Sequence, residues 1–280
     1  MTLMRKENKN KMSETNTITL PTWLDDFIFN ELWANYCPRN SNMTNIDDDK
    51  DKALNYLGTY FPRSYAEAYL LFTELFDIEK SHYCAKTKLS VFDFGCGTGG
   101  EIIGLLTAIE ELLPNVSEVE IVALDGNHCA LRLYEKVVTK FNERSRLNVN
   151  NKPFPVKIED FYDLSIVDEV INKKFDLIIT FKAICEFVTK QHFEQQNPYG
   201  HIVRTFLPKL VGDGYMALDD ITIYSDVNEE WLPKMMDKGL QENQCEVVYE
   251  NPNYNIAICV SHSRRKNDVT KVAWRVIKRR

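Results

Sequence analysis

The sequence predicts an α/β fold: a mostly parallel sheet of seven strands flanked by helices, with an antiparallel last strand and an N-terminal helical cap. Two observations predict it. From Leu89 onward, short apolar runs alternate with amphipathic helical stretches, the pattern of parallel strands joined by crossover helices. Within that pattern, Leu89 to Glu101 (LSVFDFGCGTGGE) ends an apolar run in an acid and then breaks into closely spaced glycines. A strand that stops in this way delivers its backbone N–H groups to a ligand at the start of a helix.

Residues 1–19 read as a disordered tail, because MTLMRKENKNKMSETNT is polar and basic and lacks the apolar centre of a leader or membrane anchor. Residues 20–85 read as the helical cap. PTWLDDFIFNELWANY carries apolar anchors at Trp23, Phe27, Leu32 and Trp33, and an acidic, polar linker follows from Asn40 to Lys52. ALNYLGTYFPRSYAEAYLLFTELF is interrupted at Pro62 and continues as a helix through Tyr65, Tyr69, Leu70, Phe72 and Leu75. These helices should pack across one edge of the sheet and roof its ligand cleft. Tyr60, Arg63 and Tyr65 lie where ligand contact is conceivable, although aromatic residues at helical spacing suit the core better.

Residues 86–280 read as the main domain. Val91, Phe92 and Phe94 form the first buried strand, and Ile102, Ile103, Leu105 and Leu106 begin the helix after the loop. The loop satisfies G-x-G-x-x-G through Gly95, Gly97 and Gly100, the fingerprint of a dinucleotide site. With Asp93 and Gly99 it also reads D-x-G-x-G-x-G. A carboxylate beside a pyrophosphate is repelled and beside an ammonium is attracted, so Asp93 favours a ligand with a cationic end. Further along, VEIVAL ends in Asp125 and Gly126, placing a carboxylate where it can accept bonds from a ribose diol. FPVKIEDFYDL places Asp160 and Phe161 after a candidate third strand. FDLIITFKAICEF is the fourth, followed by Thr180, Phe181, Lys182 and a helix with Cys185 and Glu186.

After these come a helix from NPYGHIVRTFLPKL, with Pro198 in its first turn, and a fifth strand, GYMALDDITIY, behind a Gly212-Asp213-Gly214 turn. EEWLPKMMDKGL is the next helix. CEVVYE, YNIAICVSH and TKVAWRVIK supply the last strands, the final two forming a hairpin around Ser263 to Asp268.

Taken in order, these strand ends resemble class I S-adenosylmethionine-dependent methyltransferases. The resemblance covers Leu89 to Phe187, the cofactor half. It implies a Rossmann-like fold, S-adenosylmethionine as cofactor, and cofactor contacts from Asp93, Gly95, Gly97, Gly99, Asp125, Gly126, Asp160, Phe161 and Phe181. In that family the acid before the glycines faces the cofactor's ammonium, the second-strand acid holds the ribose, and the residues at Asp160 and Phe161 read and cover the adenine. A parallel sheet closed by an antiparallel pair also fits this family better than a dinucleotide dehydrogenase, which more often continues with a second βαβ half. YLGTYFPRSYAEAYLLF further resembles the pre-domain helices of methyltransferase-like proteins associated with the small ribosomal subunit. The metal-binding cysteine cluster of many members of that group is missing here.

Composition bounds the partners. With 280 residues, 44% of them hydrophobic, the chain can build a large core. A net charge of −7 disfavours a surface that grips nucleic acid all round. The C-terminal SRRKNDVTKVAWRVIKRR is the exception, and Arg264, Arg265 and Lys266 at the hairpin tip are candidate RNA contacts, set against a plain solvated strand pair with Val272, Trp274 and Val276 facing inward. Seven cysteines without C-x-x-C pairs, and five histidines without ligand spacing to them, point to reduced thiols, a cytoplasmic setting and no metal site.

Methyl transfer from a sulfonium is an in-line displacement in which positioning and exclusion of water dominate, so the acceptor side need not leave a motif. Lys182 and Glu186 are the candidate catalytic pair, four apart at the cleft, where they can position or deprotonate an acceptor. The competing reading is an i,i+4 ion pair. The acceptor tetrad of amino-directed nucleic-acid methyltransferases is absent after the fourth strand, and Asn197-Pro198-Tyr199-Gly200 reads as a helix start. Asp219 and Asp220 end the fifth strand at the same edge, suited to a cationic acceptor or to a solvated turn. RNA and small molecules are the favoured acceptors. The alternatives are a catalytically silent S-adenosylmethionine binder and a nucleotide-linked oxidoreductase.

Overall fold

The computed structural model describes residues 17–38, 49–194, 196–251 and 256–280. Strand β1 (Thr17–Thr19) leads into α1 (Thr22–Asp26), which continues as a π-helical turn over Phe27–Glu31. Helices α2 (Lys50–Thr59), α3 (Phe61–Ile78) and α4 (Lys80–Tyr83) complete the cap. The alternating part follows as β2 (Lys88–Phe94), α5 (Gly100–Leu112), β3 (Glu118–Asp125), α6 (His128–Asn142), β4 (Asn148–Pro155), α7 (Ser165–Val170), β5 (Phe175–Phe181), α8 (Ile184–Val188), α9 (Pro198–Phe206) and β6 (Leu210–Ile221). A small β7 (Tyr224–Ser225) and β8 (Glu230–Trp231) pair, α10 (Leu232–Glu242), β9 (Glu246–Glu250), β10 (Ile256–His262) and β11 (Arg265–Lys278) end the chain.

The main sheet runs β4-β3-β2-β5-β6-β11-β10-β1, with β9 also paired to β11. β4, β3, β2, β5 and β6 are mutually parallel, and β11 runs antiparallel to β6, β9 and β10. This is the Rossmann-like arrangement expected from the sequence, a mostly parallel sheet closed by antiparallel strands. The chain winds one way from β2 through β3 to β4 and the other way from β5 to β6. The carboxyl ends of β2 and β5 therefore open a crevice at a topological switch point, where such sheets bind ligands.

Strand period sorts the core into two layers. Leu89 and Val91 of β2 face a cluster containing α3, α5 and α6 side chains, and Phe92 and Phe94 face a cluster built with Ile184, Phe206 and Met236. The cap shares the first cluster: Leu57, Phe61 and Phe72 pack with Leu105 and Leu106. Close approach of α3 to α5 rests on glycine. A Cβ at Gly100 would stand 2.5 Å from the Phe61 carbonyl oxygen, and one at Gly104 would stand 2.4 Å from that of Tyr65.

Several expectations are corrected. Thr17–Thr19, placed in the tail, pair in parallel with Cys259 to Ser261 as a further strand, so the sheet has nine strands among the described residues instead of seven; the rest of the tail lies outside the described residues. Of the Asn40 to Lys52 linker, residues 40–48 lie outside them too, and Lys50 to Lys52 already belong to α2, capped by the Asp49 carboxylate. The third strand ends at Pro155, earlier than FPVKIEDFYDL implies, because an edge position tolerates the prolines that discourage a strand assignment. The Gly212-Asp213-Gly214 segment is an irregularity inside β6, between the pairs Phe175↔Leu210 and Leu177↔Tyr215. The last hairpin turns on Ser263 and Arg264 alone. No described helix is long and apolar enough to cross a membrane.

Candidate functional site

The crevice is a cleft of about 310 Å3 at the carboxyl ends of β2, β3 and β5. Its floor is the glycine loop. Gly95, Gly97 and Gly99 all have positive φ, at 82°, 48° and 82°, which a residue with a Cβ adopts at a cost. Two of them also serve packing: a Cβ on Gly95 would lie 2.4 Å from that of Ala183, and one on Gly99 would lie 2.2 Å from the Tyr134 ring. The loop is tied to the neighbouring strand end. Gly97 N–H donates to Asp125 Oδ2 at 2.8 Å, and Asn127 N–H donates to Oδ1 at 2.8 Å. Burial pushes the Asp125 carboxyl up to about 6 despite those two bonds.

One wall is apolar, from Phe94, Leu124, Val156 and Ile158 across to Phe187, with Glu159 beside it. The opposite wall is Phe181, Lys182, Ala183 and Glu186, and Tyr56 reaches in from α2 of the cap. Burial raises the Glu186 carboxyl to about 7, and Lys190 only partly offsets this. Burial, then Glu186, raises the Tyr56 hydroxyl well above its ordinary range.

Behind the loop, on the α3 face, lies a group of buried acids. Asp93 and Glu101 approach closely enough to share a proton; burial and this mutual contact hold Asp93 well above the usual carboxylate range, and Glu101 is raised to about 8. Glu67 of α3 pairs with Lys182, Nζ to Oε2 2.6 Å, and accepts a 2.6 Å hydrogen bond from the Thr270 hydroxyl. Burial works to lower the Lys182 ammonium, but Glu67 and Asp219 outweigh it and the net direction is upward. Lys182 also carries a φ of 54°, and its N–H donates to the Asp219 carbonyl at 2.8 Å. Asp219 itself is raised well above the carboxylate range, by burial and then by Glu67.

Of the residues singled out from the sequence, Gly95, Asp125, Gly126, Phe181, Lys182 and Glu186 line the cleft. Asp93, Gly97 and Gly99 shape it from behind. Asp160 and Phe161 do not line it. Asp160 is exposed and caps a turn by accepting from Tyr162 N–H, and the Phe161 ring is buried against Phe187 with 4.8 Å between centroids. Their displacement follows from the early end of β4, which gives the wall to the four residues directly after Pro155. Lys182 and Glu186 are not an ion pair, since Lys182 turns to Glu67. Asn197 caps α9 through its side chain and Gly200 N–H, as a helix start requires. Tyr60 is half-buried. Tyr65 is buried, and Arg63 is bonded to Asp268 through both Nε and Nη2 at 2.9 and 2.7 Å. Sequence reasoning missed Tyr56, Ile158, Glu159 and Phe187; only the residues following a correctly placed β4 were within its reach.

The basic C-terminal segment does not form one surface. Arg275 is buried against Asp237 and Glu250, Arg279 donates to the carbonyls of Leu207, Pro208 and Leu210, and Lys278 pairs with Glu246. At the hairpin tip Arg264 lies over the Phe29 ring, leaving Arg265 and Lys266 as exposed cations beside it.

No family model matches the chain. No curated protein matches it significantly either. Solved structures similar to it include magnesium protoporphyrin IX methyltransferase from Synechocystis PCC 6803 with bound S-adenosylmethionine, at 10% identity and a TM-score of 0.48, covering 91% of this chain and 95% of that one. A protein described as a class I S-adenosylmethionine-dependent methyltransferase from Listeria monocytogenes is similar at 10% identity and a TM-score of 0.45; the match covers 76% of this chain but only 59% of that one. An rRNA methyltransferase from Streptomyces viridochromogenes gives 13% identity, 75% and 84% coverage, and a TM-score of 0.42. All three TM-scores lie below 0.5, and the fold assignment rests on the strand order.

Proposed function

We propose that the cleft binds S-adenosylmethionine and that the protein transfers its methyl group to an acceptor. The observation that carries this reading is the sign of the buried charge behind the glycine loop. Asp93, Glu101, Glu67 and Asp219 are all buried there around a single ammonium, that of Lys182. A pyrophosphate on this loop would be repelled, whereas a ligand with an ammonium end is drawn to it. That argues against the oxidoreductase alternative.

The remaining residues fit the same ligand. Asp125 presents a carboxylate at the strand end for a diol, and the slot between Leu124, Ile158 and Phe187 offers apolar faces to an adenine. When bound, the sulfonium supplies an activated methyl group. The protein's part is then to orient the acceptor and exclude water, with Tyr56 covering the cleft and Glu186, raised to about 7, able to take a proton near neutral pH. Lys182 is held by Glu67 and is assigned to the architecture of the site instead of proton transfer.

Calorimetry with S-adenosylhomocysteine tests the binding. Gly97→Val and Asp93→Asn should each weaken it by roughly tenfold or more, about 1.4 kcal/mol. Unchanged affinity in both folded variants removes the site. Transfer of labelled methyl groups to any fraction of a cell extract separates an enzyme from a silent binder, and Glu186→Gln should lower transfer more than cofactor affinity.

A further inference from the structure

After β6 the chain leaves the main sheet for the β7–β8 ribbon, and this short pair keeps its large side chains in water. Tyr224 and Trp231 face each other in register, their rings edge to face with 5.8 Å between centroids. They are 44% and 47% exposed, and Ile223 beside them is 38% exposed. Apolar side chains gathered in this way on a water-facing surface mark an interaction site. The ribbon is firmly anchored. The Asn228 amide donates to the Val188 carbonyl at 2.7 Å and its side-chain oxygen accepts from Phe193 N–H at 3.3 Å, while the His192 ring donates to the Val227 carbonyl at 2.7 Å. The segment gripped by these bonds follows directly on α8, and its Lys190 and Gln191 line the cleft together with Phe187. The ribbon is thereby fixed against the outside of a cleft wall.

Its charge selects what can dock. Between Thr222 and Lys234 three acids, Asp226, Glu229 and Glu230, stand against one lysine. Glu230 alone of the three pairs with a cation among the described residues, Lys238, and Asp226 and Glu229 are exposed in the turn. Glu229 has a φ of 52°, in the left-handed region where glycine is unstrained, so the turn keeps a carboxylate at some cost to its backbone. These charges repel a phosphate chain, an anionic lipid surface or a second acidic ribbon. A guanidinium or ammonium is attracted both by the acids and by the faces of the tryptophan and tyrosine rings, and its aliphatic stem covers apolar surface.

We propose that the β7–β8 ribbon docks a basic segment of a partner polypeptide, whose arginine or lysine side chains lie on Tyr224 and Trp231 and face Asp226 and Glu229. Because the ribbon is anchored to residues 188–193, the docked chain is held beside the cleft. Its binding energy comes from the ribbon's own side chains and is independent of what the cleft binds.

The test titrates a hexa-arginine peptide into the full chain and follows the indole N–H signals of its four tryptophans by NMR. The Trp231 signal should shift and saturate. Trp33 on the cap, 73% exposed, is the internal control and should not move with it. Tyr224→Ala should weaken the peptide by about threefold or more, through loss of one aromatic face. Asp226→Asn combined with Glu229→Gly should do the same through charge, and the glycine relieves the left-handed backbone, so this variant keeps the fold should Tyr224→Ala lose it. A Trp231 signal that stays in place, or that moves together with Trp33 as attraction to net charge alone would make it, overturns the proposal. Unchanged affinity in the folded variants overturns it as well. So does a Trp231 shift produced by a hexa-uridylate RNA, or by raising the protein concentration without peptide, results that give the ribbon to nucleic acid or to a second copy of this chain.

Discussion

Asp125→Asn should separate ligand binding from stability. The wild-type carboxylate accepts N–H bonds from Gly97 and Asn127, both 2.8 Å, yet burial still holds its carboxyl at about 6 against an ordinary 3.8. A rise of that size means that ionised Asp125 costs the ligand-free fold about 3 kcal/mol at pH 8. Because the folded value is raised, wild-type stability from this group falls as pH climbs from about 4 through 6. Asparagine removes the charge. Its single oxygen keeps one of the two bonds and its amide opposes the other, a loss of about 1–3 kcal/mol. At pH 8 the variant should therefore be as stable as wild type or up to about 2 kcal/mol more stable, whereas at pH 3, below both values, it should be the less stable of the two. S-adenosylhomocysteine should bind at least tenfold more weakly, since a diol needs both acceptors. Urea unfolding at the two pH values and calorimetry at pH 8 give all three numbers. Retained affinity, or a loss of more than about 3 kcal/mol of stability at pH 8, would refute the reasoning.

Gly104→Ala should destabilise by about 1–3 kcal/mol in urea unfolding, because its Cβ meets the Tyr65 carbonyl at 2.4 Å and outweighs the helix-propensity gain; Gly212→Ala, with nothing within 4 Å, should stay within about 0.5 kcal/mol. Asp268, held down to about 2 by His262 and Arg63 against its burial, contributes stability above pH 4 that is lost as pH falls through 2. Asp268→Asn should thus cost about 2 kcal/mol at pH 7 and nearly nothing at pH 2, measured by denaturation across that range. Lys182→Met should cost about 3–5 kcal/mol by stranding Glu67, and adding Glu67→Gln should restore most of it, a coupling read from the double-mutant cycle.

What the sequence disclosed was local. The β2 strand, the glycine loop and Asp125 are contiguous signals, each a change of hydrophobic period at a glycine or an acid, and all of them lie at the cleft. Asp160 and Phe161 were misplaced for a reason equally local: Asn148–Pro155 contains two prolines and few apolar residues, so the pattern favoured a later strand. Residues brought in from elsewhere left no trace of that kind. Tyr56 enters the cleft from the cap, and Glu67 reaches Lys182 from the middle of α3, where helical spacing alone reads as one more polar position. Arg63 with Asp268 joins the cap to β11 in the same non-local way.

The two glycines of α5 connect these levels. Gly100 and Gly104 let α3 lie backbone to backbone against α5, and that contact carries Glu67 to the end of β5. Glu67 then holds Lys182 in a left-handed backbone conformation that a lysine alone would avoid, turning its ammonium away from Glu186 and under the wall. Asp93 and Asp219 lie buried beside it, with Lys182 as the one ammonium among them. On the proposed function, a ligand with an ammonium end would add to that neutralisation when it binds. On the proposed function, the charge behind this cleft is therefore set by how the cap is packed as much as by the residues that line it.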